Sequence, residues 1–360
     1  MAERISIREL ASLAGVSRTT VSLALRNSHL ISAKVRDRVQ TLAAQYNYRS
    51  HPMIAALMQQ IRVKRKLQDE EIVAFITSDP APDGWQKWSW VVEMKQGASE
   101  EANRLGFRLE HFWAGDGAAD IRTLANVLYH RGIRGLLFAP MPWPHNAFTM
   151  PWERFVAIAC TTSTGIPELP VVRSNHNHGI RLLLSRLSAL GARSIGVAIT
   201  DEDDMRVDRG LSSGIHSFLL DNPKTKVHLL RLESYSQFKQ FAQWFSKKTP
   251  DVIILARREI LDFLRKLGKS PGKDIPCAGL TVDSEEMGTM AGLFQNSAYL
   301  GKKAVQYISK GIYDQSFGLP ESPESIMIDA KFVEGPSLGR LLPAPVPRKR
   351  KTTGQRRKPA

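Results

Sequence analysis

The sequence contains only two cysteines among its 360 residues, too few for a disulfide framework. Cys160 lies in the apolar run VAIACTT and Cys277 in IPCAGL, so both are expected to be reduced thiols of a protein core. No signal peptide opens the chain, and no apolar run reaches the length of a membrane span. These absences predict a cytoplasmic protein with no membrane partner.

Motifs for catalysis and metal binding are also missing. The chain has no zinc-ligand spacing, no P-loop and no glycine fingerprint for dinucleotides. A nucleophilic set can be assembled only from Cys160, His176, His178 and Asp283, and no spacing motif supports it. Both histidines lie at a predicted helix start, where a solvated or capping role is the better explanation. We therefore expect no enzyme, no cofactor and no metal site.

Acidic residues are scarce at both ends of the chain. Residues 1–66 hold 12 Lys and Arg against 3 Asp and Glu, and residues 341–360 hold 7 basic residues and no acid. The formal net charge is +15, so the intervening residues are close to neutral. Basic ends on a neutral body are the electrostatic pattern of a nucleic-acid-binding protein.

Residues 6–27, SIRELASLAGVSRTTVSLALRN, have the pattern of two short helices joined by a turn. Apolar residues at helical spacing form one face of the first helix: Ile7, Leu10, Ala11 and Ala14. Gly15 suits a left-handed helix end, and Ser17 can cap the second helix. The outward residues of that helix are Arg18, Thr19, Ser22 and Leu23. The pattern predicts a helix-turn-helix, which lays its second helix in the DNA major groove. An ordinary helical hairpin is the alternative.

The stretch from Ile5 to Leu57 resembles the headpiece of the LacI family of bacterial transcription regulators. The matching residues are Leu10-Ala11, Ala14-Gly15-Val16-Ser17, Thr20-Val21-Ser22, Ile31-Ser32, Arg36, Val39, Asn47-Tyr48 and Leu57. The sequence departs from the family pattern at Leu23, at Arg26 and at Ser50-His51, which is followed by Pro52. Because of these departures, the operator sequence cannot be inferred from the operator of a relative.

The resemblance implies roles for individual headpiece residues. Those carried over as phosphate contacts are Ser6, Ser17, Ser22, Asn27 and Ser32. Those expected at base edges are Arg18, Thr19, Thr20 and Leu23, with Arg18 facing a guanine and Leu23 a thymine methyl.

Two basic segments flank the body of the chain. The resemblance makes residues 51–66, HPMIAALMQQIRVKRK, a hinge helix whose Leu57 wedges into the minor groove and kinks the duplex. A plain linker helix is the alternative. Residues 341–360 have no apolar periodicity and are predicted to be a disordered basic tail, which adds non-specific DNA affinity or only aids solubility.

Between residues 71 and 340 strands and helices alternate, which predicts parallel sheets covered by helices. Nine buried strands are predicted: IVAFITS, FRLEHFW, RGLLFAP, RFVAIAC, PVVRSN, SIGVAIT, KVHLLRL, DVIILA and IPCAGLTV. The resemblance implies a two-lobed periplasmic-binding-protein-like domain of doubly wound parallel sheets, with crossovers near residues 165, 290 and 320. It also implies dimerisation through this domain, which follows the all-α headpiece of residues 1–50.

The usual sugar-binding residues of the family are largely replaced. Ser174-Asn175 replaces the usual Asp-Asn, and Ala256-Arg257-Arg258 replaces the usual Ala-Asn-Asp. Leu211 replaces a usual Arg, although Arg209 is close by in the sequence. Gly279-Leu280-Thr281-Val282 replaces the usual Gly-Tyr-Asp-Asp, and Asp283 follows directly. The chain therefore binds a ligand other than a sugar, binds a sugar through different residues, or has lost its small effector.

Six of the seven tryptophans fall between residues 85 and 152. Because ligands bind beyond the carboxyl ends of parallel strands, we expect Trp85, Trp113 and Trp143 at a cleft between the lobes, where indoles stack on sugars or planar ligands. Packing of the lobe or of its dimer face is the alternative, and packing is preferred for Trp88, Trp90 and Trp152. The full set of expected effector-binding residues is Asp79, Trp85, Trp113, Trp143, Arg209, Arg257 and Asp283.

These observations predict a homodimeric, sequence-specific repressor of the bacterial nucleoid. It binds a near-palindromic double-stranded operator, and a small ligand, expected to be a carbohydrate, modulates that binding. An architectural DNA protein without sequence preference and a regulator without a small effector are the competing functions.

Overall fold

The computed structural model describes residues 5–25, 31–46, 48, 71–115, 118–140, 150–160 and 169–341. Asn27, the expected hinge helix with Leu57, Trp143 and the tail from residue 342 onward lie outside the described residues.

Three short helices form the headpiece: α1 (Ile7–Ala14), α2 (Arg18–Leu25) and α3 (Ala33–Gln45). Their buried core consists of Leu10, Ala11, Ala14, Val21, Ala24, Val39 and Ala43. Four of these seven residues are alanines, which allow the helices to approach closely. Tyr48 packs against this core, and its backbone N–H donates to the carbonyl of Ala43 at 2.8 Å.

The body divides into two compact units. The first takes in the described residues up to Arg173 together with Ser297–Met327, and the second takes in Ser174–Asn296 and the described residues from Ile328 onward. The chain therefore passes between the units three times. These passages lie a few residues beyond the positions expected from the family resemblance.

The first unit is built on a six-stranded sheet with the order β11-β5-β4-β3-β1-β2. Its strands are β1 (Glu71–Thr77), β2 (Phe107–Trp113), β3 (Gly135–Phe138), β4 (Val156–Cys160), β5 (Val171–Ser174) and β11 (Ser325–Ile328). Strands β1 to β5 pair in parallel. Every residue of β3 and β4 is buried, as expected for central strands covered on both faces.

The second unit has a six-stranded sheet with the order β12-β10-β9-β8-β6-β7. Its strands are β6 (Ser194–Thr200), β7 (Lys226–Leu232), β8 (Val252–Leu255), β9 (Cys277–Val282), β10 (Gly292–Phe294) and β12 (Lys331–Val333). Only the β10–β12 pair is antiparallel. Side chains alternate along β6 between two hydrophobic cores. Val197 and Ile199 pack into the core on one face of the sheet, and Ala198 packs into the core on the other face.

Helices cover both sheets. They are α4 (Ser89–Leu105), α5 (Ala118–His130) and α11 (Ser297–Asp314) in the first unit, and α6 (His176–Ala189), α7 (Asp201–Arg206), α8 (Gly210–Asp221), α9 (Phe238–Lys248) and α10 (Arg258–Lys266) in the second. In the second unit α6 and α8 cover one face of the sheet, and α9 and α10 cover the other. Of the helices in the described ranges, none is long and apolar enough to cross a membrane.

Two glycines allow α4 and α11 to pack in close contact. A Cβ built on Gly97 would lie 2.0 Å from the carbonyl oxygen of Ala298, and one on Gly301 would lie 2.0 Å from that of Met94. No side chain fits at either distance. The crossing of α4 and α11 therefore requires glycine at both positions.

The α/β fold class with parallel sheets is confirmed, and each of the nine predicted strands is present as β1 to β9. The sequence patterns did not reveal β10, β11 and β12, which are three, four and three residues long. Segments this short show too little alternation to be distinguished from loops unless they are apolar throughout, as the four-residue β8 is.

Candidate nucleic-acid interface and strand-end residues

The first helix of the headpiece begins with a capping box. The backbone N–H of Glu9 donates to Ser6 Oγ at 3.3 Å, and the backbone N–H of Ser6 donates to the Glu9 carboxylate at 2.6 Å. The hydrogen bond from the Ser6 backbone lowers the pKa of Glu9. The S-x-x-E spacing is a signal for this arrangement, which the sequence interpretation missed because it assigned Ser6 to phosphate only.

A tight turn joins α1 to α2. Gly15 takes the left-handed conformation with φ of 61°, and a Cβ there would meet no atom within 4 Å. Glycine is therefore favoured by backbone conformation alone. Ser17 Oγ accepts the backbone N–H of Thr20 at 3.1 Å and contacts the Thr20 hydroxyl at 2.9 Å. Ser17 thus caps α2 as its position suggests.

Helix α2 has a buried face and an exposed face. Val21 and Ala24 are buried in the headpiece core. Arg18 and Thr19 are exposed at the first turn, where a recognition helix contacts base edges. Gln40 on α3 donates to the carbonyl of Ala24 at 3.0 Å and so ties the end of α2 to α3. Thr20, Ser22 and Leu23 are half-buried along the same helix.

Three of the five expected phosphate contacts lie at helix starts. Ser6, Ser17 and Ser32 are exposed and cap α1, α2 and α3, the last by accepting the backbone N–H of Val35 at 3.4 Å. The first backbone N–H groups of a helix have no helical partner, and together with the helix dipole they favour bound phosphate. The headpiece therefore presents three helix N-termini of the kind that bind a DNA backbone.

In the first unit, three of the expected effector-binding residues gather beyond the ends of β1 and β2. Asp79 is buried and forms an ion pair with Lys87 at 3.4 Å. The indole N–H of Trp113 donates to the backbone carbonyl of Asp79 at 2.8 Å, and Trp113 as a residue is 42% exposed. A Cβ on Gly84 would lie 1.9 Å from the Asp79 carboxylate, so this glycine allows the following loop to approach it.

Trp85 combines features of packing and of ligand binding. It is buried, with ring centroids 5.8 Å from Phe75 and 5.4 Å from His111. Lys95 Nζ lies 5.1 Å from its ring centroid. Its indole N–H is buried without a partner among the described residues, although buried donors are usually satisfied. Burial, followed by the charge of Lys95, lowers the pKa of His111.

In the second unit, Arg257 is held by a carboxylate that the sequence interpretation did not name. Its guanidinium bonds Asp203 at 2.5 Å and 3.4 Å, and the Tyr235 hydroxyl donates to the same carboxylate at 2.6 Å. Burial would raise the pKa of Asp203, but the hydrogen bond and charge of Arg257 bring it below its usual range. Burial, and then the charge of Asp203, raise the pKa of Tyr235.

Asp204 links two neighbouring segments of the second unit. It is fully buried, accepts the backbone N–H of Ser212 at 3.1 Å and contacts Arg231 at 3.2 Å. Arg209 lies 4.0 Å from it, with a left-handed backbone at φ of 50°. The acidic run DEDD, directly after β6, was the signal for this network.

Asp283 follows β9 and is buried, and its carboxylate accepts the backbone N–H of Glu286 at 3.0 Å. Of the expected effector-binding residues in this unit, Arg209 has the most exposed side chain, at 58%. Among the described residues no group of three or more His, Cys, Asp and Glu side chains is placed to hold a metal ion.

Comparison with known proteins gives one family match and several structural matches. Residues 6–51 match the family model of bacterial regulatory proteins, lacI family. No curated relative matches the sequence.

Among solved structures, the complex of the transcriptional regulator CelR with cellobiose has 17% identity and a TM-score of 0.57, covering 92% of this chain and 99% of that one. The lac repressor dimer bound to operator and the anti-inducer ONPF has 18% identity and a TM-score of 0.53, covering 92% and 98%. A periplasmic binding protein/LacI transcriptional regulator from Alkaliphilus metalliredigens QYMF, complexed with D-xylulofuranose, has 14% identity and a TM-score of 0.54, covering 73% and 97%.

The fold is that of a helix-turn-helix headpiece followed by a periplasmic-binding-protein-like body of two units. Residues 6–51 match the lacI-family model, and the body has the fold of the LacI-family regulators to which it is similar.

Proposed function

We propose that this protein is a sequence-specific transcription regulator, a homodimeric repressor that binds a near-palindromic operator. The LacI-family match of residues 6–51 carries the proposal. The exposed start of α2 beside its Ser17 cap supports it. The related lac repressor was solved as a dimer on its operator. A regulator of this kind works in the cytoplasm at the nucleoid.

Base readout is assigned to α2. Arg18 is the side chain best placed to bond a guanine in the major groove, since its guanidinium matches the two acceptors of that base. Thr19 and Thr20 continue the same turn, and Leu23 supplies an apolar contact to a thymine methyl. Asn27 and Leu57, outside the described residues, are proposed as a phosphate contact and a minor-groove wedge.

Phosphate contacts are assigned to the helix starts. Ser6, Ser17 and Ser32 place their hydroxyls and the neighbouring backbone N–H groups at three helix N-termini. Ser22 is assigned to the same group by family resemblance. Contacts of this kind position the protein without reading sequence.

A small ligand, of the carbohydrate class, is proposed to modulate operator binding. Trp113 is partly exposed beside Asp79, and Trp85 supplies a buried N–H donor that has no partner among the described residues. In the second unit Arg257 and Asp283 directly follow β8 and β9, at the strand ends where ligands of parallel sheets bind. Arg209 lies 4.0 Å from Asp204, which belongs to the helix that follows β6. The related CelR was solved with cellobiose.

No catalytic role is proposed for the cysteine and histidine residues. The Cys160 thiol is fully buried, and burial raises its pKa to about 12. A nucleophilic cysteine needs an exposed thiolate, so Cys160 does not provide one.

The test of this function is selection of bound sequences from a random duplex pool, with the full-length chain at one fixed salt concentration. We expect enrichment of a near-palindrome whose two half-sites are related by twofold symmetry. Saccharides are then screened for a change in affinity for that sequence. A pool without enrichment would contradict the proposal and favour an architectural DNA protein. An enriched sequence that no saccharide affects would favour a regulator without a small effector.

A further inference from the structure

The second unit carries a basic depression of about 470 Å³ where the amino ends of β6 and β7 meet the carboxyl end of α9. We propose that this depression binds a small polyphosphate anion of the pyrophosphate type. It lies at the opposite edge of the sheet from the strand carboxyl ends. The proposal therefore concerns a second site and does not depend on the headpiece or on the effector.

Five cationic side chains line the depression: Arg193, Lys224, Lys226, Lys247 and Lys248. The sheet register accounts for part of this arrangement. Lys226 and His228 stand two residues apart on β7 and so face the same side. Gly196 of β6 is paired with His228, and a Cβ there would lie 2.9 Å from Trp244 of α9. Helix α9 thus covers this face and brings its two C-terminal lysines to the rim.

These positive charges are poorly neutralised. Among the described residues Asp251 is the one carboxylate that lines the depression, and it accepts the backbone N–H groups of Arg193 and Ser194, each at 2.9 Å. Within the part of the chain that the structure describes, none of the five cations forms an ion pair. Like charges that line one depression repel each other, and a bound anion would relieve that repulsion.

Helix stability explains only part of the cluster. Lys247 and Lys248 lie in the last turn of α9, where cations favourably oppose the helix dipole. That effect does not apply to Arg193, Lys224 and Lys226, which lie on or beside strands. Their convergence with the helix lysines on one concavity is the feature that indicates a ligand.

Size and shape favour a small anion over a nucleic acid. The volume is within the range of small-molecule sites. A duplex presents phosphates along an extended line, and proteins follow that line with a stripe of positive charge. Here the five cations surround one depression. Lysines bind phosphate as point charges, and this number of them suits two or more linked phosphates.

His228 provides a spectroscopic probe within the depression. Burial, and then the charges of Lys248 and Lys226, lower its pKa. Arg193, Lys224, Lys247 and Asp251 are the other charged groups that line the depression. A polyphosphate bound among the lysines would oppose their charge and raise the pKa of His228.

The experiment is calorimetric titration of the full-length protein with inorganic pyrophosphate at constant ionic strength. Lys226→Gln/Lys248→Gln is compared with Lys239→Gln/Lys269→Gln, a control that removes two exposed lysines of the same unit outside the depression. We expect the first pair to lower the affinity by about tenfold or more, as loss of charge-assisted bonds implies. The control should bind like the wild type. Equal affinity of all three proteins would overturn the proposal.

A second measurement uses the unaltered protein and therefore does not depend on the stability of any variant. The His228 ring resonance, assigned with His228→Gln, is titrated with pH in the absence and presence of pyrophosphate. We expect its pKa to rise when pyrophosphate is present. An unchanged pKa would contradict the proposal. A rise caused equally by a random DNA duplex, at the same phosphate concentration, would also overturn it and assign the depression to nucleic acid.

Discussion

Arg18 tests base readout at the scale of a single residue. Its side chain is exposed at the first turn of α2 and lies outside the headpiece core. We expect Arg18→Ala to cost roughly 1–3 kcal/mol on the selected operator and little on random DNA, because base contacts specify whereas phosphate contacts only position. Binding of both DNAs is measured at one salt concentration.

The control for this prediction is Arg38→Ala, which removes an exposed arginine from α3. It changes the net charge equally but removes no side chain of α2, the proposed recognition helix. The control should reduce both affinities to a similar, small extent. If Arg18→Ala also reduces both affinities equally, Arg18 is a phosphate contact and the base-reading assignment is wrong.

The two cysteines make a second prediction at this scale. Burial raises the pKa of both Cys160 and Cys277 to about 12. Thiols react through the thiolate, so both should remain protonated and unreactive at pH 8 in the folded protein. A colorimetric thiol reagent should detect no thiol in native protein and two after denaturation. Rapid reaction of one thiol in native protein would contradict the described core.

At the residue scale the sequence located several site residues without their partners. Arg257 and Asp283 were selected because they stand at or beside the usual sugar-binding positions of the family, and both, like Asp79, lie just beyond strand ends. The Asp203–Arg257 pair joins residues 54 positions apart. No local pattern contains that pairing, because it depends on how β6 and β8 lie side by side.

The start of α1 provides a prediction at the scale of an element. We expect Ser6→Ala to destabilise the headpiece by about 1 kcal/mol, since it removes the acceptor for the Glu9 backbone N–H. Thermal unfolding of residues 1–66 with and without the substitution measures the difference. An unchanged melting temperature would mean that the capping box does not stabilise α1.

The capping box also has a pH dependence whose sign follows from Glu9. Its pKa is lower in the folded state than in the unfolded state. The contribution of its carboxylate is therefore present above the unfolded pKa and is lost as the pH falls through the folded pKa. Glu9→Gln should show a weaker loss of headpiece stability over that acidic range than the wild type.

The contact of α4 with α11 gives another prediction for elements. A methyl group at Gly301 would lie 2.0 Å from the Met94 carbonyl oxygen, so Gly301→Ala forces the helices apart. We expect destabilisation of roughly 1–3 kcal/mol in denaturant unfolding, the usual cost of overpacking. Lys310→Ala, at an exposed position of α11, should cost less than 1 kcal/mol. Equal effects of the two substitutions would contradict the described crossing.

Strands within distinct apolar runs were predicted, and β10, β11 and β12 were missed. Runs such as VAIAC and VIIL are apolar throughout because both sheet faces are covered. By contrast, β10 consists of Gly292, Leu293 and Phe294. Its place depends on a backbone approach in which a Cβ on Gly292 would lie 2.1 Å from the Gly279 carbonyl. Composition does not reveal such a contact.

At the scale of the whole molecule the uneven charge yields a prediction for the tail. The seven basic residues after residue 341 have no acid among them. If they contact phosphates, truncation after Leu342 should lower non-specific affinity and flatten its log–log salt slope by roughly one to three units. Sequence preference should not change, because the expected disordered tail has no rigid element that reads bases. The affinity for a random duplex is measured over a range of salt concentrations for the full-length and the truncated protein. Superimposable log–log slopes would show that the tail does not contact DNA.

The ratio of operator affinity to random-duplex affinity, measured for the full-length protein at one salt concentration, tests the central claim most directly. A sequence-specific regulator should bind its selected near-palindrome about a thousandfold or more tighter than random DNA of the same length. Arg18→Ala should reduce that ratio by about tenfold while the protein remains folded. A wild-type ratio near one would contradict the account, because the headpiece would then bind DNA without reading its sequence.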